Sequence, residues 1–215
     1  MEINVPRIHI VGCGPGSKDY VSPAAREAVR SADVLLGSRR LLDLFPEFTG
    51  PAVPWQGGTQ DMLNELARVT DGGQAAAVLV SGDPGLFSLA RNVLERFGAS
   101  ACRIVPGVSS VQVAFARLGL AGANAKILSA HGRSPDVRAG ELAGHDTVAI
   151  LAGTPEAMAF CARAAGDLRP SHAAFICENL TLADERIRRL EPEAVASCSA
   201  SSLTVVVLVR KELIL

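Results

Sequence analysis

Residues 74–80, Gln-Ala-Ala-Ala-Val-Leu-Val, run apolar almost without interruption and stop at the loop Ser81-Gly82-Asp83-Pro84-Gly85. A run of this length is a strand, and a strand without polar alternation has to be covered on both faces. That requirement points to a parallel sheet sandwiched by helices, the α/β class. The neighbouring patterns agree. Arg7–Val11 reads as a strand, followed by a glycine-rich loop and a helix opening at Pro23. Ser22 is placed as its N-cap, and proline stands at the first helical position, where a missing N–H costs nothing. Leu86–Phe97 aligns Leu86, Leu89, Ala90, Val93, Leu94 and Phe97 on one helical face. Cys102–Val105 predicts a further strand and Ser110–Leu118 a further helix, with Val111, Ala114, Phe115 and Leu118 aligned. A βαβα order of this kind predicts a largely parallel sheet.

The turn-rich stretch Gly119–Asn124 marks the expected boundary between two α/β domains, 1–118 and 119–215. Beyond it, strands are expected at Lys126–Ser129, Thr147–Leu151, Ala173–Cys177 and Leu203–Val209, and a helix at Thr154-Pro155. Arg186–Leu190 fits an edge strand or a short helix equally well. Two closely joined lobes would leave a ligand cleft between them.

Composition narrows the partners. The formal net charge is −1, from 21 basic and 22 acidic side chains, so no global field draws the chain to nucleic acid or anionic lipid. The longest apolar stretches, such as 203–209, are far below a membrane span. The first six residues lack the basic flank and apolar core of a signal peptide, which predicts a cytoplasmic protein. The five cysteines form no CxxC pair and are expected as buried, reduced thiols. His9, His131, His145 and His172 form no metal-binding pair, and no metal site is expected.

Four groups of loop residues carry the chemistry. Gly12, Gly14 and Gly16 give G-x-G-x-G after the first strand, but a dinucleotide fingerprint needs G-x-G-x-x-G, and Ser17 holds the third position. Pro15 removes an amide from any phosphate cradle, and Pro23 opens the helix too late for its dipole to meet the loop. The glycines therefore serve either a phosphate-free ligand or a tight structural turn. In the second loop Asp83 stands at the carboxyl end of a parallel strand, where open α/β sheets bind ligands, though an Asp before proline also serves as turn chemistry. Ser109 and Ser110 follow the third strand, as an N-cap and a ligand hydrogen bonder. Polar clusters at Ser38-Arg39-Arg40, Ser129-Ala130-His131-Gly132-Arg133 and Glu178-Asn179-Leu180 suggest a shared rim around a cleft.

Together these loops resemble the tetrapyrrole methylase family over nearly the whole chain. The stretches VGCGPGSKDYVSPAAREAV, VSGDPG and VPGVSSVQVAFARLGL are similar to its three N-terminal loop regions. GSRRLL, SAHGR and ENLTLADERI are similar to the branch that methylates C5 of precorrin-7 or its cobalt form. The resemblance implies a two-lobed class III methyltransferase fold with S-adenosylmethionine (SAM) in the inter-domain cleft. It implies cofactor contacts from Ile10, Gly12, Gly14 and Pro15, from Gly82, Asp83 and Leu86, and from Ser109 and Ser110. Leu151, Ala152 and Leu180 would add main-chain contacts, and Arg39, Arg40 and Arg133 would bind substrate carboxylates. Glu178 and His131 are the candidates for a general base, with neither singled out. Cys13 departs from the small residue expected inside the glycine triplet.

A homodimer is the implied assembly. Since the resemblance ends near Val209, a single methylation is expected, with C15 methylation and decarboxylation left to a separate partner protein. The competing readings are a nucleotide-dependent oxidoreductase, a uroporphyrinogen or diphthine methyltransferase, and a non-catalytic tetrapyrrole carrier.

Overall fold

The structure, a computed structural model, describes residues 7–55, 57–131, 135–137 and 139–214. The chain divides into two units, Met1–Ser109 and Ser110–Leu215. In the first, the elements run β1 (Ile8–Gly12), α1 (Pro23–Arg30), β2 (Val34–Gly37), α2 (Arg39–Leu42), β3 (Ala52–Pro54), α3 (Thr59–Asp71), β4 (Ala76–Val80), α4 (Ala90–Phe97) and β5 (Cys102–Val105). Their sheet has the order β3-β2-β4-β1-β5 and every pairing in it is parallel.

Alternation along the strands explains the two helical layers. Ile8, Ile10, Val34, Leu36, Ala76, Val78 and Val80 join one core with α3 and α4. Val11, Leu35, Ala77 and Leu79 point the opposite way, into a second core with α1 and α2. Both faces of β4 are therefore buried, as its apolar run requires. Ser22 caps α1 by accepting the Ala25 amide at 3.1 Å, with Pro23 at the first turn.

In the second unit, α5 (Ser110–Leu118), β6 (Lys126–Ser129), α6 (Ala139–Ala143), β7 (Thr147–Ala152), α7 (Pro155–Leu168), β8 (His172–Glu178), β9 (Arg186–Leu190), α8 (Pro192–Ala196) and β10 (Thr204–Arg210) follow in order. The sheet order is β6-β7-β10-β8-β9. Only β6 and β7 pair in parallel; the β10 and β9 pairings are antiparallel. Met158, Phe160, Cys161 and Leu168 of α7 cover the sheet through Val148, Ile150, Ile176, Val206 and Leu208. Thr154 caps α7 by accepting the Ala157 amide at 3.2 Å.

Several details depart from the sequence expectations. The helix expected over Leu86–Phe97 begins at Ala90, because 84–89 form turns in which Phe87 has φ +50°. Ser88, one residue before the N-cap Leu89, accepts the Ala90 amide at 3.0 Å. Elements β2, α2, β3 and α3 add to the expected ones; β2, α2 and β3 are only three or four residues long, whereas α3 carries Met62, Leu63, Leu66 and Val69 at helical spacing. Arg186–Leu190 is an edge strand, which settles the two options left by its pattern. Within the second unit, α5 packs on β10. Among the described residues, no helix is long and apolar enough to cross a membrane.

Candidate functional site

The loops after β1, β4 and β5 converge at the carboxyl end of the first sheet. Gly14 and Gly82 form an isolated antiparallel bridge, Gly82 N donating to Gly14 O at 2.8 Å and Gly14 N to Gly82 O at 3.3 Å. Cys13 N donates to Val80 O at 2.9 Å just below it. The third loop packs onto the same point without room for a side chain. A Cβ on Gly12 would lie 2.6 Å from Gly107 N, and one on Gly107 would lie 2.8 Å from the Gly12 carbonyl carbon. Gly14 has φ +78° and Gly82 φ +67°, a backbone that L side chains rarely adopt. The glycines thus let three strand-end loops touch main chain to main chain.

Asp83 locks this junction. Its Oδ1 accepts the Gly85 amide at 2.8 Å and its Oδ2 accepts the Gly107 amide at 3.1 Å. Among the described residues it makes no ion pair, and each carboxylate oxygen retains a lone pair for a ligand. Ser109, buried, lies against Gly82, its Cα 3.6 Å from where a Gly82 Cβ would stand. Ile10 is fully buried in the strand below, while Leu86 is half-buried at the loop's far end. The Cys13 side chain enters the core under α1, and burial pushes its thiol up to about 12, so it is an inert packing group.

The two arginines of the 38–40 cluster separate. Arg39 is exposed, whereas Arg40 is half-buried and donates from Nη2 to Ser81 Oγ at 3.1 Å. Burial lowers the Arg40 pKa. Arg133 lies outside the described residues.

The second unit gathers its own set at one end of its sheet. Thr204 stands in register with both Ala152 and Glu178, so the carboxyl ends of β7 and β8 flank the start of β10. Ser129 pairs with Leu151, and Ala130 N donates to Leu151 O at 2.9 Å, which brings the exposed His131 to the same end. Leu180 is buried between Asn179 and Thr181, both with positive φ, at +50° and +72°. That strained turn is held by Glu185, which accepts the Thr181 amide at 2.6 Å and pairs with Arg117 at 2.7 Å. Glu178 is buried and committed: Oε2 accepts from Arg188 Nη2 at 2.8 Å and Oε1 from the Ser201 amide at 3.4 Å.

The family model for tetrapyrrole (corrin/porphyrin) methylases matches residues 7–196. The chain belongs to the tetrapyrrole methylase family. One curated relative, the cobalt-precorrin-7 C(5)-methyltransferase of Salmonella typhimurium, is 33% identical over 86% of this chain and 91% of its own length. The solved precorrin-6Y methylase of Archaeoglobus fulgidus is 25% identical with a TM-score of 0.75, covering 96% of this chain and all (100%) of that one. A uroporphyrin-III C-methyltransferase of Thermus thermophilus, solved with S-adenosylhomocysteine, shares the fold at a TM-score of 0.74 and 23% identity, covering 94% and 97% of the two chains.

For a tetrapyrrole methylase, the first loop makes physical sense. A 3₁₀ turn at Lys18–Tyr20 and the Ser22 cap intervene before α1, so no free helix N-terminus faces the glycines. A pyrophosphate would find neither dipole nor amide cradle here. A phosphate-free ligand recognised by main-chain groups and the Asp83 carboxylate fits. Trp55 and Phe87, which line one pocket with Arg40, had no sequence signal beyond being isolated aromatic residues, because the segments after β3 and β4 bring them together.

Proposed function

We propose that this protein transfers a methyl group from SAM to C5 of precorrin-7 or its cobalt form, in corrin biosynthesis. The observation that carries the reading is the 33% identity to the Salmonella C(5)-methyltransferase across 91% of that enzyme. The convergent glycine loops, joined by Asp83, support it.

SAM supplies an electrophilic methyl on a sulfonium, with a neutral thioether as leaving group. The chain's own task is alignment, and positioning of this kind can contribute roughly 7–11 kcal/mol. Gly12, Gly14, Pro15, Gly82, Asp83, Leu86, Ser109 and Ser110 are assigned to holding the cofactor, with Ile10 as the buried floor beneath them. In the second unit, main-chain cofactor contacts are assigned to Leu151, Ala152 and Leu180. Asp83 orients donors of the ligand while fixing two loops, so ligand and loop order are coupled. Of the two base candidates, Glu178 is neutralised by Arg188 and shapes the following turn, which leaves exposed His131 as the group free to take a proton. Arg39, Arg40 and Arg133 are assigned to substrate carboxylates, which guanidinium groups bind bidentately. The reading carries with it a cytoplasmic homodimer.

Incubating the protein with cobalt-precorrin-7 and methyl-labelled SAM, then locating the label by NMR, tests the proposal. A single methyl at C5 is expected. Calorimetry should show micromolar binding of S-adenosylhomocysteine and none of NADP. Tight NADP binding without SAM binding would sink the assignment.

A further inference from the structure

In the first unit, the chain leaving β2 enters α2 on one face of the sheet, while the chain leaving β4 enters α4 on the other. A crevice opens between neighbouring strands whose connections diverge in this way. It has a volume of about 460 Å³, within the size of small-molecule sites. Arg40, Ser81, Trp55, Phe87, Ser88 and Asn92 line it.

Two features of its wall are out of balance. Four arginines are partly buried among the described residues: Arg26, Arg40, Arg188 and Arg210. Arg26, Arg188 and Arg210 each pair with a carboxylate, at 3.0, 2.8 and 3.0 Å. Among the described residues, Arg40 has only the neutral Ser81 hydroxyl, and its Nη1 is buried with no partner. A half-buried cation without a counter-charge is unfavourable by itself and is relieved by an anion. Opposite it, Phe87 keeps 59% of its surface exposed and holds φ at +50°, a strained backbone that presents an apolar ring to solvent. Trp55 is oriented by its Nε1 donating to Gly58 O at 3.2 Å.

We infer that this crevice binds one carboxylate-bearing ring edge of the macrocycle, with Arg40 taking the carboxylate and Trp55 and Phe87 covering the hydrocarbon. The identity of the ligand rests on the tetrapyrrole reading; the pairing of a cation with two aromatic rings does not. It separates Arg40 from the exposed Arg39 as the residue that fixes how the substrate sits.

Uroporphyrin III, a stable macrocycle bearing acetate and propionate groups, serves as the probe, with its Kd measured by titration. Arg40→Gln and Phe87→Ala should each weaken it roughly ten- to a hundredfold, while S-adenosylhomocysteine affinity stays within about twofold and reports an intact fold. Arg40→Lys should recover part of the loss, and Arg103→Gln, an exposed arginine on β5, should recover none because it loses none. Wild-type binding that both crevice variants retain would overturn the inference, as would wild-type protein that binds S-adenosylhomocysteine but not the probe. Methyl transfer to cobalt-precorrin-7, measured in parallel, judges the function separately. Transfer with an unchanged Arg40→Gln KM would sink the crevice and leave the methyltransferase standing.

Discussion

Asp83 accepts the Gly107 amide at 3.1 Å, so one carboxylate joins the loop after β4 to the loop after β5. Its other oxygen closes its own loop on Gly85. Removing it should act on ligand and loop together. Asp83→Ala is expected to lower stability by about 1–2 kcal/mol and to weaken S-adenosylhomocysteine roughly ten- to a hundredfold. Urea unfolding and calorimetry read the two effects. Normal binding by a destabilised variant would make Asp83 a loop tie only.

Gly12 and Gly107 should tolerate no side chain at all. A Gly12 Cβ would meet Gly107 N at 2.6 Å, a backbone atom that cannot swing aside. Gly12→Ala is expected to cost about 1–3 kcal/mol through overpacking and to impair cofactor binding. Gly14→Val adds a strained φ of +78° and should abolish binding. Wild-type melting temperature and affinity in Gly12→Ala would contradict the close approach.

Glu178→Gln tests whether that carboxylate supports the fold or the chemistry. It removes the negative charge that pairs with Arg188 at 2.8 Å and leaves only a neutral amide oxygen to accept there. A loss of about 1–3 kcal/mol is expected, below that of a fully buried pair because Arg188 is partly solvated. The methyl-transfer rate per folded molecule should hold, whereas His131→Ala should lower kcat without moving the melting curve. Rate loss in Glu178→Gln with unchanged stability would reverse these roles.

Glu185 makes part of the second unit's stability acid-sensitive. The hydrogen bond from Arg117 holds its carboxyl below the ordinary 4.5; burial opposes this, and the Thr181 amide and the Arg117 charge add to the lowering. A lowered folded pKa stabilises the native state while the group is ionised, so the contribution is complete above pH 4.5 and fades as pH falls through the folded value. Glu185→Gln should cost about 1 kcal/mol near neutrality, modest because the pair is partly exposed. The difference from wild type in urea unfolding should shrink on acidification. A difference independent of pH down to acid would reject the charge as its source.

Element types were readable where local chemistry decides them. The Ser22-Pro23 and Thr154-Pro155 pairs open helices because their side chains cap the next turn's amides, a contact within a few residues. The apolar run of β4 declared itself a doubly covered strand because burial on both faces leaves no place for polar alternation. The glycine loop excluded a pyrophosphate for the same local reason, its proline and its distance from the helix start. Family membership, too, was legible in loop residues strung along the chain.

Tertiary structure decided what depends on residues far apart in sequence. That Gly12 faces Gly107, or that Asp83 reaches past its own turn, follows from β1 lying between β4 and β5, an order no local pattern encodes. Glu178 and His131 look alike as polar residues after strands, yet Arg188 on the neighbouring edge strand claims one and leaves the other in water. Arg39 and Arg40 are adjacent in sequence and differ by one helical step, which buries one guanidinium against Ser81 and exposes the other. The sequence by itself determined the strands and helices whose propensity, caps and periodicity are local, such as β1, β4, α1 and α7. Which side chains carry an unbalanced charge was decided only by packing, because desolvation depends on neighbours brought together by the fold.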